Sequence, residues 1–344
     1  MIRMTLRQFR LQLVIAAGAL TVVAIILGVT GPDLAHVYDT TVGTCARDGG
    51  YCSTALVTFN DHDRLLRVVV QALPIVLPVL LGMFWGAPLV AGELESGTFR
   101  LAWTQSRSRL QWLAAKLAVV GLTTVAVQGL LSLMTTWWWM PVGRANPDRF
   151  SPAIFGAFGI APIGYAVFAL ALGVTAGILL RRTVPAMATT LAAFVGVRLA
   201  VTFLVRPGFA SEVHQVVALD PNGTAGIDSG PGIPLHLVFG NPQLPNAWVR
   251  SIDTVNASGQ HPTGPVLAQL CPTLVKAVSD SRQTDMHSAF TACVTRVAAS
   301  FHHAVVYQPA SRYWPFQWAE LALFVGLAVG MVALSAWWIR RRLI

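Results

Sequence analysis

Six long apolar runs, separated by polar stretches, set the layout of this chain. They cover about Leu11 to Thr30, Val68 to Ala91, Leu117 to Met140, Ala153 to Leu180, Val184 to Val205 and Phe316 to Ile339. Each is long enough to cross a hydrocarbon core as a helix, the form in which a spanning segment satisfies its own backbone polar groups. The expected fold is therefore an all-α integral membrane protein with six transmembrane helices. Residues 1–12 place Arg3, Arg7 and Arg10 on one helical stripe and Ile2, Leu6, Phe9 and Leu13 on another. That pattern predicts an interfacial amphipathic helix. A signal peptide begins in the same way, but here the first run is long enough to span and further spans follow.

Pro74, Pro78 and Pro88 fall inside the second run and Pro162 inside the fourth. Proline removes a backbone hydrogen bond and kinks a helix, so the second span is expected to bend, either to shape packing or as a hinge. Trp137, Trp138 and Trp139 close the third run. Indoles suit the headgroup zone, and stacking on a substrate is their other possible use.

The polar stretches differ in size. Residues 31–66 carry Asp33, Asp39, Asp48, Asp61 and Asp63 with Cys45 and Cys52, and read as an exposed loop. Residues 141–152 form a short turn, and Arg181-Arg182 a tight hairpin between spans 4 and 5. Residues 206–314 are too polar and too rich in Gly and Pro to span, and form one large extramembrane domain. Its first half reads as loop-rich. In its second half Leu267, Leu270, Leu274, Val275 and Val278 recur at helical spacing, as do Met286, Phe290, Val294, Val297 and Phe301, which predicts a helical hairpin with Cys271 and Cys293 on its inward faces. The chain thus divides into an interfacial helix (1–12), spans 1 to 5 with a polar bridge at 93–116 (13–205), the extramembrane domain (206–314), and span 6 with a basic tail (315–344).

Composition agrees with a membrane protein: 54% of residues are hydrophobic and 11% charged, and the mean hydropathy is +0.60. The formal charge of +9 raises nucleic-acid binding, but the basic residues sit at the ends of apolar runs and not on one aromatic-studded patch. A lipid bilayer is the expected partner, and nucleic acid is not. Arg3, Arg7, Arg10, Arg100, Arg107, Arg109, Lys116, Arg181, Arg182, Arg340, Arg341 and Arg342 fall on one side, with only Glu93 and Glu95 as acids. By the positive-inside rule both termini are cytoplasmic and 206–314 is extracytoplasmic.

Every Cys and His then lies outside. Four cysteines in an oxidising compartment predict two disulfides, for which three pairings exist. Short separation favours Cys45 with Cys52, and the predicted hairpin favours Cys271 with Cys293. Neither the cysteine spacing nor the isolated pair His302-His303 matches a metal-ligand pattern, and the remaining histidines, His36, His62, His214, His236, His261 and His287, read as solvated. No metal is expected.

The bridge carries, in order, Glu93, Glu95, Gly97-Thr98, Leu101, Thr104-Gln105-Ser106, Arg109, Trp112-Leu113 and Lys116. This order resembles the cytoplasmic coupling segment of ABC type-2 permeases, the membrane subunits of ATP-driven exporters, especially the branch common in actinobacteria. A second resemblance lies at Tyr307-Gln308-Pro309-Ala310, Arg312, Trp314, Phe316-Gln317 and Glu320. With the span pattern it covers most of the chain. Gly92 departs from it, standing where relatives usually carry a basic residue.

The resemblance implies a non-catalytic permease that forms the translocation pathway as a dimer with a second copy. It also implies a separate cytoplasmic ABC ATPase subunit, which holds ATP and Mg. This chain has no G-x-x-x-x-G-K-[ST] loop, so no catalytic or cofactor-binding residue is assigned to it. The expected ATPase-coupling residues are Glu93, Glu95, Gly97, Thr98, Arg100, Arg109 and Lys116, with Gly97 ending span 2. Glu93 and Glu95 have two open roles, docking basic residues of the ATPase or pairing with Arg100 and Lys116. A push on the bridge would tilt spans 2 and 3.

Two charges fall within spans, Arg198 and Glu320, both in the outer half. Such charges cost about 2 to 4 kcal/mol unless paired or hydrated. They either form an ion pair with each other or snorkel separately. No chain of intramembrane acids exists for proton relay, which argues against a secondary transporter, and no H-E-x-x-H spacing supports an embedded protease. The alternative is a membrane sensor or assembly protein whose outer domain binds a ligand. An apolar bundle suits an amphipathic or hydrophobic cargo.

Overall fold

The computed structural model describes residues 2–49, 52–96, 109–221, 225–230, 233–242, 244–279 and 283–342. The chain forms two compact units, one of residues 1–210 with 311–344 and the other of residues 211–310. Arg206 and its neighbours, placed at the start of the outer domain by sequence, belong to the first.

Among the described residues six helical stretches are long and apolar enough to cross a membrane: Phe9–Arg47, Arg64–Glu95, Leu110–Trp138, Ala161–Leu180, Thr183–Phe209 and Ala310–Arg341. We call them spans 1 to 6. Helix α1 (Ile2–Thr40) runs unbroken from the amphipathic start through span 1 and past Pro32. Two short helices follow, α2 (Val42–Arg47) and α3 (Ser53–Asp61). The expectation of an exposed loop at 31–66 is thus corrected. Leu34, Val42 and Phe59 are buried against Leu27, Val70, Trp138 and Val142, and this apolar contact holds the segment in helical form. Arg67 reinforces it by donating to the carbonyl of Phe59 at 2.6 Å.

Span 2 joins α4 (Arg64–Leu81) to α5 (Ala87–Ser96) through a π-turn at Gly82–Gly86. Span 3 is α6 (Arg109–Trp138), followed by α7 (Met140–Ala145) and α8 (Pro152–Phe155). Span 4 is α9 (Ala161–Leu180), with Pro162 in its first turn, where the missing N–H costs nothing. Span 5 begins as α10 (Thr183–Ala200), and span 6 is α11 (Tyr313–Arg342).

Span 4 is the buried centre of the unit, with 72% of its most apolar window inside the protein. Glycines let span 2 approach it. A Cβ placed on Gly82 would lie 2.6 Å from the carbonyl oxygen of Ala169, and one on Gly86 2.7 Å from that of Leu170. From the other side, a Cβ on Gly177 would lie 2.7 Å from the carbonyl oxygen of Ala87, and one on Gly173 would run into that of Gly82. These two small-xxx-small stretches bring backbone against backbone. The irregularity in span 2 lies at this contact, between Pro78 and Pro88 rather than at either of them.

The three tryptophans separate. Trp138 is buried and donates its indole N–H to Thr30 at 2.9 Å, Trp139 stacks on Phe158 at 4.7 Å, and Trp137 is exposed.

The second unit corrects the expectation of an all-helical chain. Strands β1 (Val213–Ala218), β5 (Phe301–Gln308) and β4 (Trp248–Asn256) form an antiparallel sheet in the order β1-β5-β4, and β2 (Ala225–Gly230) pairs with β3 (Ile233–Phe239). In the central strand β5, Phe301, His303 and Val305 are buried in alternation, the period-2 pattern of a half-buried strand. Helices at Gly264–Leu270, Pro272–Ser279 and Gln283–Ser300 supply the other side of a core containing Leu237, Phe239, Leu267, Leu274, Val294 and Val297.

Candidate functional site

The two helices that flank the bridge meet at its ends. Lys116, at the start of the third turn of α6, forms an ion pair with Glu93 of α5 and donates to the carbonyl of Leu89 at 3.1 Å. Its ammonium also sits over the ring of Trp112, 4.6 Å from the centroid. Around this contact Trp112 and Leu113 are buried with Val90, Val174, Ile178 and Ile339. Spans 2, 3, 4 and 6 therefore share one apolar base beneath the Glu93–Lys116 pair.

Glu95 turns elsewhere. Its Oε2 accepts from the backbone N–H of Thr183 at 3.0 Å and from the Thr183 hydroxyl at 2.9 Å. Thr183 opens α10, so a carboxylate from span 2 satisfies an orphan donor at the start of span 5 and sits favourably on that helix dipole. Arg109 is the first residue of α6. Gly97, Thr98 and Arg100 lie outside the described residues. The structure thus joins Glu93 to Lys116 and sends Glu95 to Thr183, a partner that sequence reasoning missed. The available signal was a hydroxyl residue following the basic hairpin at a helix start.

A second polar cluster lies between spans 4, 5 and 6. Arg198 Nη1 reaches Glu320 Oε1 at 3.0 Å, and Arg206 meets both oxygens of Glu320, at 2.8 and 2.9 Å. The Tyr165 hydroxyl donates to Oε1 at 2.6 Å. Arg198 lies over the Tyr165 ring at 3.6 Å and Arg206 over the Phe155 ring at 4.1 Å. Arg206 was missed because it follows the apolar run and reads as its flanking charge. One turn earlier in α11, Gln317 accepts from the N–H groups of Ile160 and Ala161 at 3.1 and 2.8 Å and donates to the carbonyls of Phe155 and Phe158, both at 3.1 Å. This one amide satisfies four backbone groups around the non-helical stretch between α8 and α9, and Thr136 and Ser132 of span 3 bond the N–H and the carbonyl of Gly159. Gly159, with φ +86°, turns the chain there, and a Cβ on it would meet Gln317 Oε1 at 2.8 Å.

A family model described as ABC-2 membrane transporter related matches residues 17–206, more than half of the chain. The chain belongs to this family. It is the permease component of an ABC transporter and a multi-pass membrane protein. The match runs from within span 1 to near the end of span 5, with Glu93, Glu95, Lys116, Arg198 and Arg206; Glu320 and the sheet-bearing unit lie beyond it. Searches of curated proteins and of solved structures found no match.

In this ABC-2 permease the cysteines are paired as Cys45–Cys52 and Cys271–Cys293, with Cα–Cα distances of 5.7 and 5.3 Å. Both Cys271 and Cys293 sit in the core of the second unit. His303 is buried in the same unit, 3.1 Å from the Thr254 hydroxyl. Burial holds its pKa below the ordinary histidine range, against a smaller upward effect of its hydrogen bond with the Gly240 backbone. Asp33, His62 and Asp63 bring one potential metal-ligand atom each within 4.8 Å of one another, on a partly exposed surface.

Proposed function

We propose that this chain forms the translocation pathway of an ABC exporter, as a dimer with a second copy, driven by separate cytoplasmic ATPase subunits that hold ATP and Mg. Both termini and the bridge face the cytoplasm, and residues 211–310 form an extracytoplasmic domain. The excess of basic residues on the bridge side supports this orientation, as do two disulfides in segments assigned to the oxidising side.

The observation that carries the coupling role is the pair of acids closing span 2. Glu93 binds Lys116 of span 3 and Glu95 binds Thr183 of span 5. A force on residues 97–108 is therefore delivered to three spans, and through the glycine contacts to span 4. Interactions with two discrete arrangements are what such coupling requires. The spans enclose an apolar bundle suited to an amphipathic or hydrophobic cargo.

The decisive experiment is purification of the tagged permease in mild detergent from its native cells, with identification of bound chains and an ATPase assay. A stoichiometric partner bearing a phosphate-binding loop is expected. A Glu93→Gln, Glu95→Gln double variant should retain that partner and lose stimulated ATPase activity. Purification of the chain alone, without ATPase activity, would favour the sensor reading and reject this one.

A further inference from the structure

A groove runs along spans 1, 2 and 3, and its chemistry changes from one end to the other. Its wide part has a volume of about 440 Å³ and is walled by Ile15, Ala19 and Val23 of α1, Leu77 and Leu80 of α4, and Leu131 of α6. From Gln12 to Val23 it follows α1 for about 16 Å at the helical rise. One leaflet of a hydrocarbon core is about 15 Å thick, so the groove has the length of one extended tail. A narrower part of about 190 Å³ adjoins it, and the two share Gln12, Phe84 and Trp85.

The narrow part is lined by Phe9, Phe84 and Trp85 together with Glu93 and Lys116. Phe9 and Trp85 meet edge to face, with centroids 4.8 Å apart. Of the two charged groups the carboxylate is the reachable one: the Glu93 side chain is 22% exposed and that of Lys116 6%. The ammonium is already committed to Glu93, to the Leu89 carbonyl and to the face of Trp112. Gln12 lies at the junction and lines both parts. Aromatic faces beside a carboxylate form the chemistry that receives an ammonium ion.

We propose that this groove binds a single-tailed amphiphile with a cationic alkylammonium head. The tail lies between α1 and α4, and the head sits against Phe9 and Trp85 beside Glu93. The head competes with Lys116 for Glu93, the residue that ties span 2 to span 3, so occupancy loosens the base of the bridge. Use of the site in export rests on the exporter reading above; binding itself does not.

The test is photolabelling of the full-length chain in lipid nanodiscs with dodecyltrimethylammonium carrying a diazirine in its tail, mapped by mass spectrometry. The same tail on a sulfonate and on a maltoside head serves for comparison. The cationic probe is expected to label α1 and α4 within the groove about tenfold more than the other two, a difference of about 1.4 kcal/mol. Glu93→Gln should reduce it to the level of the neutral probe. Ala19→Phe, at an exposed position of α1, should lower labelling by all three. Equal labelling by the three heads would mark a groove for bilayer acyl chains and overturn the proposal. So would labelling unaffected by Glu93→Gln, or crosslinks showing α1 and α4 covered by a second copy. Labelling without a co-purifying ATPase would keep the site and remove the export role, and an ATPase without labelling would do the reverse.

Discussion

Arg206 grips Glu320 at two points, Nε to Oε2 at 2.8 Å and Nη2 to Oε1 at 2.9 Å, with both side chains buried. Two parallel contacts from one guanidinium fix direction as well as distance, so the end of span 5 is locked in register with span 6. Arg198 and Tyr165 complete the carboxylate's shell. One acid thus holds two cations, and each stacks on an aromatic ring, which spreads the excess positive charge over polarisable faces.

Removing the acid from this cluster should be far worse than removing the cluster. Glu320→Gln leaves two guanidiniums without their counter-ion and is expected to cost about 3 to 5 kcal/mol. The double change Arg206→Met, Glu320→Met should recover part of that loss, since the fully buried Arg206 guanidinium is then gone and only the more exposed Arg198 is left without its counter-ion. Arg198→Met alone should cost less than Glu320→Gln, because Arg206 remains. Thermal unfolding of the purified variants, followed by size-exclusion fluorescence, ranks them. A double variant as unstable as Glu320→Gln would contradict the account.

Hydropathy made the six spans legible because a membrane helix must be apolar along its whole length. What it concealed follows from the same rule. Residues 31–66 are polar enough to read as loop, yet a few well-placed residues, Leu34, Val42 and Phe59, suffice to pack them as helices. Arg206 lay past the end of an apolar run, and only the fold brings it back to Glu320. The strands were missed because β1 and β4 mix polar and β-branched residues without clean alternation, while Phe301 continued a helical period although it begins β5. Glu95 stood out in sequence as a charge, but its Thr183 partner is 88 residues away.

The crossing of spans 2 and 4 should be sensitive to single methyl groups. Gly82→Ala places a Cβ against the Ala169 carbonyl, and Gly177→Ala places one against that of Ala87. Backbone, unlike a flexible side chain, cannot turn aside, so each change should cost about 1 to 3 kcal/mol. Gly18→Ala and Gly196→Ala, where a Cβ meets nothing within 4 Å, should be neutral. Midpoints of detergent-induced inactivation for the four variants test this difference.

Acid should loosen the sheet-bearing unit through His303. Its pKa is lowered by burial, so the unfolded chain binds a proton at pH values where the folded chain does not. Stability is therefore complete above the ordinary value of about 6.5. It falls as the pH drops through that value toward the lower folded pKa. Hydrogen-exchange protection across residues 211–310 of the intact protein, taken as the exchange rate relative to the intrinsic amide rate at each pH, should fall between pH 7.5 and 5.5. His303→Gln should flatten the response, and an unchanged pH dependence in that variant would assign the effect to another group.

The disulfides give the orientation a direct chemical test. Cys271–Cys293 closes 22 residues of sequence and Cys45–Cys52 closes 7, so on loop entropy they stabilise by about 3 and about 2 kcal/mol respectively. Each bond joins residues near enough in sequence to act within its own segment, so opening one should leave the other intact. On intact cells a membrane-impermeant phosphine followed by an impermeant maleimide should label Cys45 and Cys52, which lie near the surface. Cys271 and Cys293, buried in the core, should be labelled only after that unit is loosened by mild denaturant. Sealed inverted vesicles should protect all four. Labelling from the inverted side would place the sheet-bearing unit in the cytoplasm and reverse the bridge, and with it the surface available to an ATPase.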